Sequence, residues 1–469
     1  MADINLGVGG ANSAVAGGYD IDNSLKLERD NSENLYRQII NGNRKTWTTS
    51  LWIKRTNVSA SNYQMVITHG IYGYGTFLRI MTDDTLQTGI EYSSGQVRQT
   101  TNQVLRDTSA WMHLVWRVDT TQADGDNRSR LYINGEQVTS FSQNETIAQN
   151  TDTFCNYDHS GYDDEQFGYK EASLFTSMYY ADVYHIDGQS LAPTEFGEVD
   201  SDSGIWKPIE ANISSFGNNG YYLNFSNSSN LGEDTAGNGS FTLNNITAAD
   251  QATDTPTNNF ATFNPLHTNY GNYIEGASTI QSTGTGWSST ISTIAPASGK
   301  WYVEFKVQDS GPASMIGVSP VQSSNNLVTG HYSGTSGDNG VSWYDFNGVI
   351  RNNAVGVATY STWGNTDIVA LALDLDNHKI YFAKNNTWQN SANPATGTNG
   401  ISLLDTSSQF YIGASFYYNG PDYIYGNYGG FSGFTISSAA SDENGYGTFE
   451  YAPPSGYYAL CTKNLAEYG

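Results

Sequence analysis

The chain has 469 residues, and its 46 acidic against 21 basic side chains give a formal net charge of −25. A surface this acidic repels phosphate backbones and anionic lipid headgroups, which argues against nucleic-acid binding and against peripheral membrane association. The length accommodates two or three domains, and 33 tyrosines against 11 prolines favour short strands with frequent turns over long helices.

Residues 1–20 are rich in glycine, alanine and serine, and this composition predicts a flexible N-terminal arm. The arm is either a disordered leader or a segment that orders on a neighbouring protein. It lacks the basic and apolar regions of a secretory signal, and the chain contains no apolar run of about 18 residues that predicts a membrane-spanning helix. Cys155 and Cys461 lie in different predicted domains, so no disulfide and a reducing compartment are expected.

The first predicted domain covers residues 21–205. Apolar and polar residues alternate through Trp111–Asp119, which predicts a strand with Met112, Leu114 and Trp116 facing inward and His113 facing outward. A second predicted strand, Arg130–Ile133, is followed by Asn134-Gly135, the pair that favours a type I′ hairpin turn. Together with Ser24–Leu27, Trp47–Arg55 and Ala181–Gln189, this pattern resembles laminin-G/concanavalin-A-like lectin domains, which implies a β-sandwich that binds glycans.

Residues 206–280 form a predicted bridge that contains two apolar strands, Tyr221–Phe225 and Phe241–Leu243. The second predicted domain covers residues 281–435. It opens with the alternating strand Trp301–Val307 and continues with a hairpin formed by Asp367–Asp376 and Lys379–Phe382. This order resembles a SPRY domain, a β-sandwich recognition module. Residues 436–469 form a C-terminal extension, and the expected fold class is all-β, with two antiparallel jelly-roll sandwiches joined by the strand-containing bridge.

Three further segments, Phe196–Pro208, Tyr222–Phe260 and Tyr451–Gly469, resemble parts of marine tailed-phage structural proteins that pair these two modules. The resemblance implies a virion component assembled in the host cytoplasm, namely a fibre or adhesin that attaches to a host surface glycan. Its expected partners are other virion proteins, and it is expected to be a homo-oligomer, a trimer above all. The alternatives are a head decoration or cement protein and a cellular carbohydrate-binding adhesin.

A third alternative is a glycoside hydrolase, because the concanavalin-A-like fold also carries glucanases. Retaining glycosidases need two carboxylates about 5–5.5 Å apart. The nearest candidate, Glu198–Asp202, lacks the second glutamate of the glucanase signature and lies between glycines. These features favour a solvated acidic loop and a non-enzymatic protein.

No metal or other cofactor is expected. The acidic clusters Asp124–Asn127 and Asp163–Glu165 are candidates for a calcium site on a sandwich rim, but aspartate and glycine at these positions are also typical of turns. The seven histidines show no metal-ligand spacing to a cysteine or to another histidine.

Exposed aromatic side chains are the predicted ligand-binding groups, because sugar rings stack on tyrosine and tryptophan while amides and carboxylates orient the hydroxyl groups. The predicted residues lie in two loops of the second domain: Tyr417, Tyr418, Asn419, Asp422, Tyr423 and Tyr425 in one, and Trp343 and Tyr344 in the other. The alternative is that these aromatic side chains pack between subunits of a symmetric oligomer or against a neighbouring domain.

Overall fold

The computed structural model describes residues 18–58, 60–69, 75–158, 164–169, 174–267, 271–283, 286–308, 314–321, 339–353, 355–418 and 422–469. These residues form two compact units, which divide between Thr257 and Asn258. Among the described residues, no helix combines the length and the apolar character needed to cross a membrane. The predicted arm at residues 1–20 lies almost wholly outside the described residues.

The first unit is a sandwich of two antiparallel sheets. Its strands are β1 Ser24–Leu27, β2 Asn34–Gln38, β3 Thr46–Arg55, β4 Gln64–His69, β5 Thr76–Ile80, β6 Thr85–Tyr92, β7 Gly95–Val104, β8 Met112–Asp119, β9 Ser129–Ile133, β10 Glu136–Gln137, β11 Phe141–Asn144, β12 Asp164–Phe167, β13 Met178–Asp187, β14 Gly197–Val199, β15 Trp206–Pro208, β16 Tyr221–Leu223, β17 Thr242–Asn244 and β18 Gln251–Ala252. Sheet 1 has the order β10-β9-β8-β3-β13-β1-β18, with β16 also paired to β13, and sheet 2 has the order β11-β7-β6-β5-β4-β12-β2-β17. Short 3₁₀ turns lie at Gly125–Asn127, Pro193–Glu195 and Ala248–Asp250.

The alternation in β8 predicts its inner face correctly, because Met112, Leu114 and Trp116 lie in the core between the sheets. The outer face is not solvated as the sequence predicts: His113 is 1% exposed and Val115 is fully buried. A second apolar layer, built around Phe196 and the chain that follows it, covers this side of sheet 1. A further layer outside the sandwich therefore turns nominally outward residues into buried ones.

The second unit is a second sandwich. Its elements are β19 Gly271–Ile274, β20 Thr279–Ser282, β21 Gly286–Ile291, β22 Lys300–Gln308, β23 Ser314–Pro320, β24 Val341–Tyr344, β25 Val349–Asn352, β26 Val355–Thr359, β27 Ile368–Asp374, β28 Lys379–Lys384, β29 Thr387–Trp388, β30 Ile401–Ser402, β31 Phe410–Tyr418, β32 Tyr423–Asn427, β33 Tyr458–Ala459 and α1 Thr462–Tyr468, with 3₁₀ turns at Gln389–Ser391 and Pro394–Thr396. Sheet 3 has the order β19-β20-β32-β22-β27-β28-β29, with β30 paired to β28 and β33 paired to β22, and sheet 4 has the order β21-β31-β23-β24-β25-β26.

The predicted strand Trp301–Val307 lies within β22, and its residues Trp301, Val303, Phe305 and Val307 all lie in the core between sheets 3 and 4. The opposite side of β22 is also buried, because Tyr302 packs against a cluster that contains Phe449 and other C-terminal residues. The expectation of an all-β fold built from antiparallel sandwiches is confirmed, and the pairing of β22 with β33 is parallel.

The segments predicted as a bridge and as a C-terminal extension are parts of the two sandwiches. β16, β17 and β18 pair with β13, β2 and β1, so the part of residues 206–280 up to Thr257 completes the sheets of the first unit. Its apolar side chains, such as Tyr221 and Phe241, fill that core. From Asn258 onward the chain belongs to the second unit. Burial of apolar strand residues explains why neither segment remains a separate linker.

Candidate functional site

A groove lies where the edge strands of sheets 1 and 2 meet. β10 is the last strand of sheet 1 and β11 is the last strand of sheet 2. The groove between them has a volume of about 170 Å³. Its lining residues are Gln99, Gly125, Asp126, Ser129, Arg130, Leu131, Gln137, Val138, Thr139, Phe141, Asn144, Glu145, Thr146 and Ile147. Pockets for drug-sized ligands measure about 300–1,000 Å³, so this groove suits a small polar unit such as one sugar ring.

Hydrogen bonds hold the amides of the groove in place. Gln99 Nε2 donates to Asn144 Oδ1 over 2.9 Å, and the hydroxyl of Ser129 donates to Gln99 Oε1 over 2.8 Å. Because both ends of the Gln99 amide are engaged, its hydrogen bond orients the amide of Asn144, which is an exposed residue. Buried Leu131 and Ile147 supply an apolar floor.

Charged groups and one aromatic ring complete the lining. Glu145 Oε1 accepts from Gln143 Nε2 over 2.8 Å and its Oε2 accepts from the backbone N–H of Arg98 over 2.9 Å, so this carboxylate is pre-oriented. Asp126 is exposed, whereas Arg130 and the ring of Phe141 are half-buried. The groove thus offers donors, acceptors and an apolar ring face within one small volume, which are the groups that a polyhydroxylated ligand needs.

The aromatic residues predicted from sequence divide between two opposite faces of the second unit. Tyr417 lies on β31 in sheet 4, whereas Tyr423 and Tyr425 lie on β32 in sheet 3. The neighbours Phe416 and Ile424 point into the shared core, so the tyrosines point away from it on either side. Residues 419–421, which include Asn419, lie outside the described residues, and so does the side chain of Tyr418. A single binding loop from Tyr417 to Tyr425 is therefore not what the structure shows.

Two predicted binding residues are buried. The side chain of Trp343 is fully buried in the core between sheets 3 and 4, and Asp422 is only 2% exposed. The expectation that these side chains are available to a ligand is corrected. In β24, alternation sends Trp343 inward and its neighbour Tyr344 outward, so only one of the two adjacent aromatic residues reaches the surface.

Tyr344 and Tyr417 belong to a chain of four aromatic rings, here called the aromatic strip, on the outer face of sheet 4. The ring centroids of Tyr417 and Trp287 are 5.6 Å apart, those of Trp287 and Tyr344 are 6.5 Å apart, and those of Tyr344 and Phe346 are 6.3 Å apart. Tyr417 is 47% exposed and Phe346 is 59% exposed. Trp287, on β21, was not among the residues predicted from the sequence, because the strand Gly286–Ile291 shows no apolar–polar alternation.

On the opposite face, Tyr423 and Tyr425 stack with centroids 6.0 Å apart. Gln281 Nε2 donates to the Tyr423 hydroxyl over 2.9 Å, and the Tyr425 hydroxyl donates to Gln308 Oε1 over 3.0 Å. Both hydroxyl groups are therefore used within sheet 3, which favours a structural role for this pair.

The acidic clusters that were candidates for catalysis or for calcium binding form ion pairs and hydrogen bonds with neighbouring residues. Lys207 Nζ lies 3.3 Å from Glu198 Oε1 and 3.1 Å from Asp200 Oδ2. The backbone N–H of Ser203 and the ammonium of Lys207 hold the pKa of Asp200 well below its usual range, which does not suit a general acid. Asp124 accepts from the backbone N–H of Asp126 and caps a 3₁₀ turn, as turn chemistry predicts.

Of the third cluster, Asp163 and the side chain of Asp164 lie outside the described residues. Glu165 points into the core of the first unit and is fully buried.

Residues 29–168 match the family model of the concanavalin A-like lectin/glucanases superfamily, and all residues that line the groove fall within this range. This part of the first unit is therefore similar to concanavalin A-like lectin and glucanase domains. Among curated proteins, no sequence matches this chain.

Several solved structures resemble parts of the chain at low identity. The SPRY domain of human HERC1 is 16% identical, with a TM-score of 0.30, over 35% of this chain and 96% of that domain. A proposed carbohydrate binding protein from Bacteroides ovatus is 15% identical, with a TM-score of 0.34, over 48% of this chain and 59% of that protein. Domains LG4–5 of the mouse laminin α1 chain are 10% identical, with a TM-score of 0.28, over 85% of this chain and 84% of that one.

Proposed function

We propose that this protein is a non-enzymatic attachment protein that binds a glycan in the groove of its first unit. The observation that carries the proposal is the groove itself: fixed amides, oriented carboxylates, a guanidinium and an aromatic ring converge within the segment that matches the concanavalin-A-like family. Each sugar hydroxyl both donates and accepts a hydrogen bond, so paired amides such as Gln99 and Asn144 recognise it from either side.

Charge narrows the class of glycan. The chain carries a net charge of −25, and Asp126 and Glu145 lie in the groove itself. The negative charge of the protein repels polyanionic glycans, whereas it does not repel neutral sugars. The substrate class we propose is therefore a neutral hexose-containing glycan, with its apolar C–H face against Phe141.

The pairing of Glu198 and Asp200 with Lys207 supports binding without hydrolysis, because two carboxylates that share one ammonium ion do not divide into an acid and a nucleophile. The cellular adhesin, and the glycoside hydrolase as a third possibility, stay as alternatives to a virion protein.

We also propose that the protein acts in a virion, as a fibre or adhesin. What supports this is the resemblance of Phe196–Pro208, Tyr222–Phe260 and Tyr451–Gly469 to phage structural proteins. The exposed aromatic strip favours contact with a further protein surface, which also fits a head decoration or cement protein.

A glycan array probed with the purified full chain tests the glycan proposal. We expect neutral hexose-containing glycans to be retained and polyanionic glycans to be rejected, and we expect a bound polysaccharide to stay intact during incubation. Retention of no glycan contradicts the binding function. Release of new reducing ends that stops in the Glu198→Gln variant contradicts the non-enzymatic part.

A further inference from the structure

Three side chains of types that bind metals, two imidazoles and one thiol, meet in the core of the first unit. His69 lies on β4 of sheet 2, His185 lies on β13 of sheet 1, and Cys155 lies in the chain between β11 and β12. One ligand atom from each residue lies within 4.8 Å of the others, and all three side chains are buried. The residues are distant in sequence, which is why their spacing along the chain predicted no metal site.

The state of His69 is the second, independent observation. Its side chain is fully buried, and among the described residues neither ring nitrogen finds a hydrogen-bond partner. Glu165 Oε1 lies 3.5 Å from its Nδ1. An imidazole without partners in the core is costly, since both a donor and an acceptor lose their contacts with water. A ligand that takes up a lone pair removes part of this cost.

His185 is held in place by polar neighbours. Its Nδ1 lies 3.0 Å from the hydroxyl of Thr49, and its Nε2 lies 3.1 Å from Asn156 Oδ1. The Asn156 amide is itself fixed, because its nitrogen donates to Asp187 Oδ1 over 3.2 Å. When one of the two contacts of the ring is exchanged for a metal ion, the other keeps the ring oriented, as partners of metal-bound histidines commonly do.

We propose that His69, Cys155 and His185 form a buried site for a zinc-type transition-metal ion. Two imidazoles and a thiolate are the donors that zinc prefers, whereas calcium and magnesium take oxygen ligands. Zinc–nitrogen and zinc–sulfur distances of about 2.0–2.3 Å place two nitrogens and one sulfur about 3.3–3.6 Å apart at a tetrahedral ion. The three atoms now lie within 4.8 Å of one another, so they need to approach by about 1.5 Å at most. Binding releases the thiol proton of Cys155.

Glu165, whose Oε1 lies 3.5 Å from His69 Nδ1, is our candidate for the fourth position. Its Oε1 accepts from the Tyr221 hydroxyl over 2.6 Å, and its Oε2 lies 3.5 Å from an Arg37 guanidinium nitrogen. A carboxylate and a thiolate together balance the two positive charges of a divalent ion, and the Arg37 guanidinium adds one positive charge beside the site. Because His69 and His185 belong to opposite sheets, the bound ion links the two layers of the sandwich.

Cobalt substitution of the purified full chain tests the site. We expect one equivalent of cobalt per chain, displaced by zinc, with the intense visible bands of tetrahedral cobalt and a thiolate-to-cobalt charge-transfer band in the near ultraviolet. The Cys155→Ser variant is expected to lose the charge-transfer band and at least about tenfold in affinity, the loss caused even by removing an outer partner of a metal ligand. Cys461→Ser is the matched control, since it removes the other buried free thiol and leaves the site intact.

Failure of the wild-type chain to bind cobalt or zinc stoichiometrically overturns the proposal. So does a charge-transfer band that survives in Cys155→Ser or disappears in Cys461→Ser. If Cys155→Ser does not fold, X-ray absorption of the zinc-loaded wild-type chain decides: one sulfur and two imidazole nitrogens support the site, and an all-oxygen shell refutes it.

Discussion

The indole Nε1 of Trp206 donates a hydrogen bond to Nδ1 of His113 over 3.0 Å. Because an indole nitrogen only donates, Nδ1 must accept, and the imidazole proton therefore lies on Nε2, 2.8 Å from the hydroxyl of Ser50. The ring stacks on Trp52, with centroids 4.7 Å apart, and lies nearly parallel to Trp206, with centroids 6.0 Å apart. The structure thus holds His113 in one neutral tautomer.

This arrangement predicts an acid-dependent loss of stability. Burial lowers the pKa of His113 to about 3, whereas an unfolded histidine has an ordinary pKa of about 6.5. Above pH 6.5 the His113 imidazole is neutral in both the folded and the unfolded state, so its full contribution to the free energy of unfolding is present. Between about pH 6.5 and 3 only the unfolded state binds the proton, so each pH unit of acidification lowers the free energy of unfolding by about 1.4 kcal/mol.

Urea denaturation between pH 4 and 7 measures this slope. His113→Asn, whose side-chain oxygen still accepts from Trp206, is expected to have a slope smaller by about 1.4 kcal/mol per pH unit than wild type. Equal slopes for the two proteins contradict the prediction. A direct readout is the NMR signal of the His113 ring, which should show no titration down to pH 5.

A pair of glycine substitutions separates backbone strain from side-chain contact. Gly135, at φ +78°, has the Trp206 ring within 2.5 Å of an added Cβ, whereas Gly204, at φ +73°, has open space around it. Changing either glycine to alanine should cost about 1–2 kcal/mol through the left-handed backbone. Gly135→Ala should cost a further 1–3 kcal/mol or so through overpacking, measured as the difference in unfolding free energy. Equal losses would show that Trp206 moves aside freely.

The proposed glycan groove predicts a selective loss of binding. Asn144→Ala removes an exposed amide whose orientation Gln99 fixes, and we expect about tenfold weaker binding of the preferred glycan by calorimetry, or about 1.4 kcal/mol. The control is Asn102→Ala, an exposed amide on the neighbouring strand β7 that lies outside the groove lining. Equal affinities for both variants would rule out the groove as the site.

The aromatic strip predicts the oligomeric state. If copies of the chain associate through it, the double variant Tyr417→Ser with Phe346→Ser should be monomeric in mass photometry while wild type is oligomeric, because exposed apolar rings at an interface lose water on association. Tyr423→Ser, on the opposite face, should leave the oligomer intact. A monomeric wild-type chain contradicts the proposed oligomer, and an unchanged double variant excludes the strip as its interface.

Apolar–polar alternation and turn signals in the sequence predicted part of this fold correctly. Alternation correctly placed Trp116 and Trp301 in cores, and the Asn134-Gly135 pair adopts positive φ at both positions, 49° and 78°, as a type I′ turn requires. Alternation assigns residues to two faces, but it does not tell which face meets the core. The prediction placed Trp343 in an exposed loop, whereas it lies on the strand β24 and faces the core.

Contacts between strands that are distant in sequence could not be predicted either. Trp287 and Tyr417 meet as a direct cross-strand pair between β21 and β31, and only the sheet register brings them together. The groove depends on two edge strands of different sheets, and the cluster of His69, Cys155 and His185 depends on both sheets and a loop. A local sequence pattern does not predict contacts between residues of different sheets.

The position of β33 constrains how the protein is made. Its residues Tyr458 and Ala459 pair with Trp301 and Tyr302, and Tyr457 and Cys461 fill the apolar cluster beside them. During synthesis, the ribosome must therefore release these late residues before the second unit can close, whereas residues up to Thr257 suffice for the first. The nascent chain should acquire protease resistance in two steps, and a truncation before Tyr457 should abolish only the second.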